Sequence, residues 1–200
     1  MTTSVTPRIV LALGGVRSGK SDFAKNLADR EFARPLYLAT AETLDKEMAD
    51  RVARHRQTRG PRWTTIEAPL EAAGAIESGA PECDGILMDC ATLWLTNVLL
   101  KEGVGAWERR RDELVRALRR TTRRIVIVSN EVGMGIVPES ELGRMFRDYA
   151  GWLNQALAAE ADAVVMLVAG LPLTLKGNLP TNRSNNEIAA RAEAGSTPGA

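Results

Sequence analysis

Short apolar runs alternate along this chain with longer stretches of mixed polarity. Residues 8–13 (RIVLAL), 36–39, 85–89 (GILMD), 125–129 (IVIVS) and 163–168 (AVVMLV) are nearly continuous in β-branched and other apolar side chains. That is the pattern of strands buried on both faces of a parallel sheet. Residues 63–67 (WTTIE) alternate instead and read as a strand at an edge. The intervening segments, at about 18–31, 44–58, 92–101, 107–120 and 141–159, carry helical periodicity. Strand-then-helix repetition predicts a doubly wound α/β fold, a mostly parallel sheet with helices on both faces. Residues 177–200 (GNLPTNRSNNEIAARAEAGSTPGA) change character, with only Leu179 and Ile188 to bury, and are expected to form a flexible C-terminal tail after one domain at 1–176.

Composition narrows the class of function. With 26 basic and 25 acidic residues the net charge is +1. A surface built as a whole to hold nucleic acid or an anionic membrane is thereby excluded, though a local anion site is not. Cys83 and Cys90 form neither a C-x-x-C pair nor a disulfide framework, so thiols in a reducing compartment are expected. The apolar run after the polar N-terminus is too short for a signal-peptide core. The longest uncharged stretch, between Asp162 and Lys176, is broken by Gly170 and Pro172 and falls short of the about 20 apolar residues that span a bilayer. A cytoplasmic protein is expected.

The first strand runs into Gly14, Gly15, Val16, Arg17, Ser18, Gly19, Lys20 and Ser21, which fit G-x-x-x-x-G-K-[ST] at every fixed position. A strand before and a helix after supply the context that the motif needs. The glycines let backbone N–H groups turn inward toward phosphate oxygens, and the helix N-terminus adds partial positive charge. Lys20 is expected to reach the β- and γ-phosphates and Ser21 to ligate Mg2+. Such a loop needs an acidic partner on a neighbouring strand, beside the loop, to hold the metal directly or through water. Asp89, closing the run Ile86, Leu87, Met88, is placed to hold the metal, or alternatively to cap the helix that follows. The fold expected with this loop is that of a phosphate-loop NTPase-like (RecA-like) single domain.

His55 is the one histidine of the chain and stands among Arg51, Arg54, Arg56 and Arg59. On a helix of about 3.6 residues per turn it shares a stripe with Leu44, Met48 and Val52. Two readings follow. His55 completes an apolar helix face, or it attacks phosphorus as a neutral imidazole while the arginines hold phosphate charge. Positive neighbours favour the neutral form that a nucleophile requires.

Several separated segments, in order, resemble the bifunctional adenosylcobinamide kinase/adenosylcobinamide-phosphate guanylyltransferase family. They are GGVRSGKS at 14–21, YLATA at 37–41, LDKEM at 44–48 with Arg51 and His55, WTTIE at 63–67, DCATLWLTN at 89–97, SNEVGMGIVPE at 129–139, residues 146–148 (FRD) with Gly151, Asn154 and Gln155, and AGLPLTLK at 169–176. The resemblance runs from about residue 8 to 176, and SNEVGMGIVPE is far more specific than the phosphate loop. It implies two reactions on one substrate. The aminopropanol hydroxyl of adenosylcobinamide is phosphorylated with ATP or GTP. GMP is then transferred from GTP to that phosphate, giving adenosylcobinamide-GDP for cobalamin biosynthesis. The resemblance further implies a guanylylated His55, nucleotide contacts from Ala39, Thr40, Ala41, Arg56, Gln57, Thr58, Arg59 and Glu67, a metal role for Asp89, and a homotrimer. Some relatives carry a histidine where Arg54 stands and a glutamate where Asp89 stands.

Other readings stay distinguishable. A phosphate-loop kinase of another small alcohol forms no GMP adduct, and a nucleotide-dependent switch ignores cobinamide. Against the switch, the chain lacks the N-K-x-D motif that reads guanine. Residues 101–124, with nine basic and four acidic side chains, are expected to be a solvated face. Asn130 and Glu131, after the IVIVS strand, fall at the sheet edge where α/β proteins place ligands. Glu131 is read either as a base or metal-side group, or as support for the turn at 132–138. Trp94, Trp107 and Trp152 lie in helical runs and read most simply as core or subunit-interface residues, with stacking against the corrinoid as the alternative.

Overall fold

The computed structural model describes residues 6–42 and 60–179. Its centre is a seven-stranded sheet: β1 (Ile9–Gly14), β2 (Pro35–Ala39), β3 (Thr64–Glu67), β4 (Gly85–Asp89), β5 (Arg124–Asn130), β6 (Ala163–Val168) and β7 (Leu171–Lys176), in the spatial order β3-β2-β4-β5-β1-β6-β7. Every pairing is parallel except β6 with β7. The helices are α1 (Lys20–Glu31), α2 (Ala72–Ser78), α3 (Ala91–Lys101), α4 (Trp107–Arg120) and α5 (Glu141–Glu160).

Strand side chains alternate between two faces, and the sheet is covered on both. Ile9, Leu11, Leu36, Leu38, Ile86, Met88, Ile125 and Ile127 face one way, onto Ile76 of α2, Trp94 and Leu95 of α3, Leu114 and Leu118 of α4, and Leu153 and Leu157 of α5. Val10, Ala12, Leu87, Val126, Val128 and Val165 face the other way, onto Ala24, Leu27 and Ala28 of α1. The expected two-faced α/β fold is therefore present, with four α-helices on one side and one on the other among the described residues. Each fully buried Leu or Ile contributes about 1.5–3 kcal/mol, so the two faces together hold the sheet rim that carries the site.

The strands read from the sequence all occur, and the run read at 63–67 forms an edge strand at Thr64–Glu67. The helix expected at 44–58 lies outside the described residues, as does the tail beyond residue 179. Two elements were not evident from the pattern. Helix α2 has a Gly and three Ala among its seven residues, so it carries little periodic signal. Strand β7 is exposed at every position and contains Pro172, which an edge strand tolerates. The chain reaches β7 through Ala169 and Gly170, with φ of 52° and 83°.

The basic excess at 101–124 is largely met by carboxylates of neighbouring elements. Arg110 pairs with Glu71 at 2.8 Å and also with Glu102. Arg119 pairs with Glu160 and Arg124 with Glu31, each at 2.6 Å. Pairs like these, at or near the surface, contribute little stability, about 0–1 kcal/mol each, but they cancel a patch that could otherwise attract polyanions. No helix among the described residues is long and apolar enough to cross a membrane.

Candidate active site

The carboxyl ends of the strands bring the candidate residues onto one rim. In register, Glu67 of β3 lies beside Ala39 of β2, Ala39 beside Asp89 of β4, and Gly14 of β1 beside Asn130 of β5. Because β5 separates β1 from β4, Asp89 is not on the strand next to the phosphate loop. Helix α1, which leaves the loop, packs across both β5 and β4.

The loop itself is over-determined. Arg17 and Gly19 have φ of 60° and 89°, which turns the backbone back on itself before α1. Ser18 N–H donates to Gly15 C=O at 3.3 Å, and Gly170 N–H donates to Ser18 C=O at 3.0 Å, so the β6–β7 turn clamps the loop from outside. Lys20 is buried, and its ammonium donates to Gly15 C=O at 3.0 Å, which holds the charge over the loop. Ser21 follows in the first turn of α1, half-buried. Val16 projects into solvent. Ser18 Oγ is buried without a hydrogen-bond partner. A buried hydroxyl left so costs about 1–3 kcal/mol, and a phosphate oxygen at the loop is a group that would satisfy it.

Gly14 has no room for a side chain. A Cβ there would lie 2.4 Å from Ser18 Oγ and 2.8 Å from the Leu167 carbonyl oxygen. Gly14→Ala is expected to lower stability by about 1–3 kcal/mol and to weaken nucleoside triphosphate binding more than stability alone explains. Thermal melts with and without GTP check this, since the variant should lose most of the ligand-dependent rise in Tm.

Asp89 Oδ2 accepts a hydrogen bond from the Tyr37 hydroxyl at 3.0 Å. This fixes the carboxylate from β2, whereas no side-chain bond from Asp89 caps α3, whose N-cap is Cys90. Among the described residues there is no group of three or more His, Cys, Asp and Glu side chains placed to hold a metal ion. A Mg2+ ion bound with a nucleotide does not need one, because phosphates and water supply most of its oxygens. One hydroxyl at the start of α1 and one carboxylate on the rim therefore fit that ion.

Cys90, next to Asp89, is buried. Burial pushes its thiol up to about 12, and the Asp89 carboxylate adds to the shift while Lys20 opposes it. The thiol therefore stays protonated across the neutral range, and Cys90 is no nucleophile here. The raised value also makes stability depend on pH. Below about 9 the thiol is protonated in both states, and as pH rises from 9 toward 12 only the unfolded chain ionises, so this contribution is lost. Native protein at pH 8 is expected to resist iodoacetamide at Cys90 while unfolded protein reacts, which peptide mass mapping reads directly.

Thr40 is fully buried, and its hydroxyl donates to the Cys90 carbonyl at 2.8 Å while its own carbonyl accepts from Asn97 at 2.8 Å. It thus ties β2 to the Asp89–Cys90 corner and to α3. Its neighbours Ala39 and Ala41 are half-buried, and Glu67 is exposed at the rim. A second buried network was not read from the sequence. Thr92 and Ser129 hydroxyls lie 3.1 Å apart, Ser129 donates to Asn154 Oδ1 at 2.7 Å, and Asn130 N–H donates to Thr92 Oγ1 at 2.7 Å. Asn154 Nδ2 completes it by donating to Asn130 C=O at 3.0 Å. These bonds lock α3 and α5 onto the end of β5 between Asp89 and the loop. Asn154 stands in the quoted motif region, but nothing in spacing ties it to Thr92. Glu131 Oε1 accepts from Gly133 N–H at 2.6 Å, which is the turn-supporting arrangement. His55, Arg56, Gln57, Thr58 and Arg59 lie outside the described residues.

The protein-family model for cobinamide kinase / cobinamide phosphate guanyltransferase matches residues 10–175. The chain is 46% identical over 167 residues to the bifunctional adenosylcobalamin biosynthesis protein CobP of Pseudomonas aeruginosa, covering 84% of this chain and 96% of that one. It is 40% identical to the bifunctional adenosylcobalamin biosynthesis protein CobU of Salmonella typhimurium, covering 84% and 99%. Among solved structures, an ATPase of a bacterial type III secretion system aligns with a TM-score of 0.54 at 11% identity, covering 93% of this chain and 61% of its own, a likeness of fold alone. With a family model matched over most of its length and this extent of identity, the chain belongs to the cobinamide kinase/cobinamide phosphate guanyltransferase family.

Proposed function

We propose that this chain phosphorylates adenosylcobinamide with ATP or GTP, and then transfers GMP from GTP through a guanylylated His55 to give adenosylcobinamide-GDP. The observation that carries this reading is the braced phosphate loop on the same rim as Asp89, in a chain of this family. In the first step the aminopropanol hydroxyl oxygen bonds to the γ-phosphorus, the bond to the β,γ-bridging oxygen breaks with its electron pair leaving on the nucleoside diphosphate, and the hydroxyl proton is released to water. The loop N–H groups and Lys20 hold the phosphates in line, since positioning and charge stabilisation dominate phosphoryl transfer. In the second step an imidazole nitrogen of His55 bonds to the α-phosphorus of GTP and pyrophosphate leaves. A phosphate oxygen of the corrinoid then bonds to the same phosphorus, and the N–P bond returns its electron pair to the imidazole. Two displacements at the α-phosphorus, with a neutral imidazole entering in the first and leaving in the second, replace one displacement between two anions, which is the gain of covalent catalysis.

Ser21 and Asp89 are the residues that would hold Mg2+, which supplies charge neutralisation at the phosphates. Ala39, Thr40, Ala41 and Glu67 line the rim toward the nucleotide, Thr40 by fixing the strand end. Arg56, Gln57, Thr58 and Arg59 complete the nucleotide site beside His55. The enzyme works as a cytoplasmic homotrimer, with residues 1–176 forming the catalytic domain and 177–200 a tail.

The test is to incubate the full chain with adenosylcobinamide, GTP and Mg2+ and follow the corrinoids by liquid chromatography and mass spectrometry. Adenosylcobinamide phosphate is expected first and adenosylcobinamide-GDP after it. Consumption of GTP with no modified corrinoid would contradict the reading.

A further inference from the structure

A corrinoid is large, and the phosphate loop can receive only its reacting end. The remainder must lie on surface continuous with the loop. The segment 131–140 meets that condition, because its first residue, Glu131, donates its N–H to Gly14 C=O at 3.0 Å. It then presents Met134 and Ile136 to solvent, 80% and 97% exposed. Exposed apolar side chains in a loop usually mean a partner, and this loop is braced rather than loose. Gly133 N–H is held by Glu131, and Arg144 Nη1 donates to the carbonyls of Pro138 and Glu139 at 3.1 and 2.5 Å.

Beside this segment lies a recess lined by Gly133, Arg147, Asp148, Gly151, Trp152 and Gln155. Trp152 is 50% exposed, yet its ring is fixed. It meets Tyr149 edge-on at 5.1 Å, and Tyr149 meets the buried Trp107 at 5.5 Å. A half-exposed aromatic ring held edge-on by a second ring that is itself backed by a third offers a rigid flat face at little entropic cost. Gly151 keeps the surface beside it open, since a Cβ there would meet nothing within 4 Å.

Resting on the function proposed above, we infer that this recess and the apolar segment next to it dock the corrin ring of the acceptor. The ring lies against Trp152, Met134 and Ile136, while Arg147, Asp148 and Gln155 bond the carboxamides around its rim. An apolar floor with a few convergent polar groups is the make-up of a small-molecule site. The other exposed apolar strip, Leu171, Leu173 and Leu175 on β7, lies on the opposite side of the loop. It is an open strand edge without an aromatic, which suits strand pairing instead.

Three variants test the dock. Gly151→Leu fills the recess into open space, Trp152→Ala removes the flat face, and Ile136→Ser alters a side chain that carries none of the fold. Equilibrium dialysis of adenosylcobinamide, followed by its visible absorbance, reads binding without turnover, and steady-state phosphorylation reads the two KM values. Each variant is expected to weaken corrinoid binding and raise its KM by about tenfold, or about 1.4 kcal/mol, with the KM for GTP, the Tm and the oligomeric state unchanged. Wild-type corrinoid affinity in all three would overturn the dock. So would a change in oligomeric state without loss of corrinoid affinity, which would make the recess a subunit contact. Corrinoid that binds wild type and is weakened by the variants, but is never phosphorylated, would keep the dock and overturn the function.

Discussion

Lys20→Ala is expected to lower both cobinamide phosphorylation and guanylyl transfer by about 10²–10³-fold, the loss that follows removal of one preorganised charge-stabilising group. The two reactions use different phosphorus atoms, so a shared loss is informative. It follows if one triphosphate cradle serves both. Lys20 is buried at the first position of α1, and its ammonium is already fixed over the loop by Gly15. Its replacement removes charge without removing a strand or a core contact, and alanine favours the helix. Tm without nucleotide should therefore hold, while GTP no longer raises it. Loss of one activity with full retention of the other would mean that two separate triphosphate sites exist.

His55→Ala is expected to abolish guanylyl transfer while leaving phosphorylation of adenosylcobinamide in place. Nothing else in the described site can take over the covalent step. The thiol of Cys90 is buried and pushed up to about 12, so it offers no thiolate at neutral pH. The Ser18 and Thr40 hydroxyls are buried within the loop and the strand corner. The γ-phosphoryl transfer draws on Lys20 and the loop amides, not on an imidazole. The variant should therefore accumulate adenosylcobinamide phosphate and stop there, which product analysis by mass shows directly. Formation of adenosylcobinamide-GDP by a folded His55→Ala protein at the wild-type rate would end the covalent mechanism.

How far the sequence disclosed this site depended on whether a feature is local. The phosphate loop was legible because its glycines answer a backbone demand at fixed spacing, and Gly14 indeed has no space for a Cβ. Strands β4 and β6 and helix α4 were legible to their end residues, since continuous burial and strong amphipathicity leave little ambiguity. Strand order was not legible. Nothing in the pattern says that β5 inserts between β1 and β4, so Asp89 was expected beside the loop strand and instead faces it across β5. The lock formed by Thr92, Ser129 and Asn154 joins residues far apart in the chain, and each alone reads as an ordinary polar residue. Strand β7 hid behind Pro172 and full exposure, although its turn clamps Ser18.

The covalent GMP intermediate on His55 is the claim from which the rest of the account is most easily judged. Intact-protein mass after incubation with GTP and Mg2+, kept near neutral or basic pH because phosphoramidates hydrolyse in acid, tests it directly. The account predicts a mass gain of one GMP in the wild-type chain that disappears on adding cobinamide phosphate and is absent in His55→Ala. An unmodified mass in protein shown to bind GTP, or an adduct that persists in His55→Ala, would contradict it.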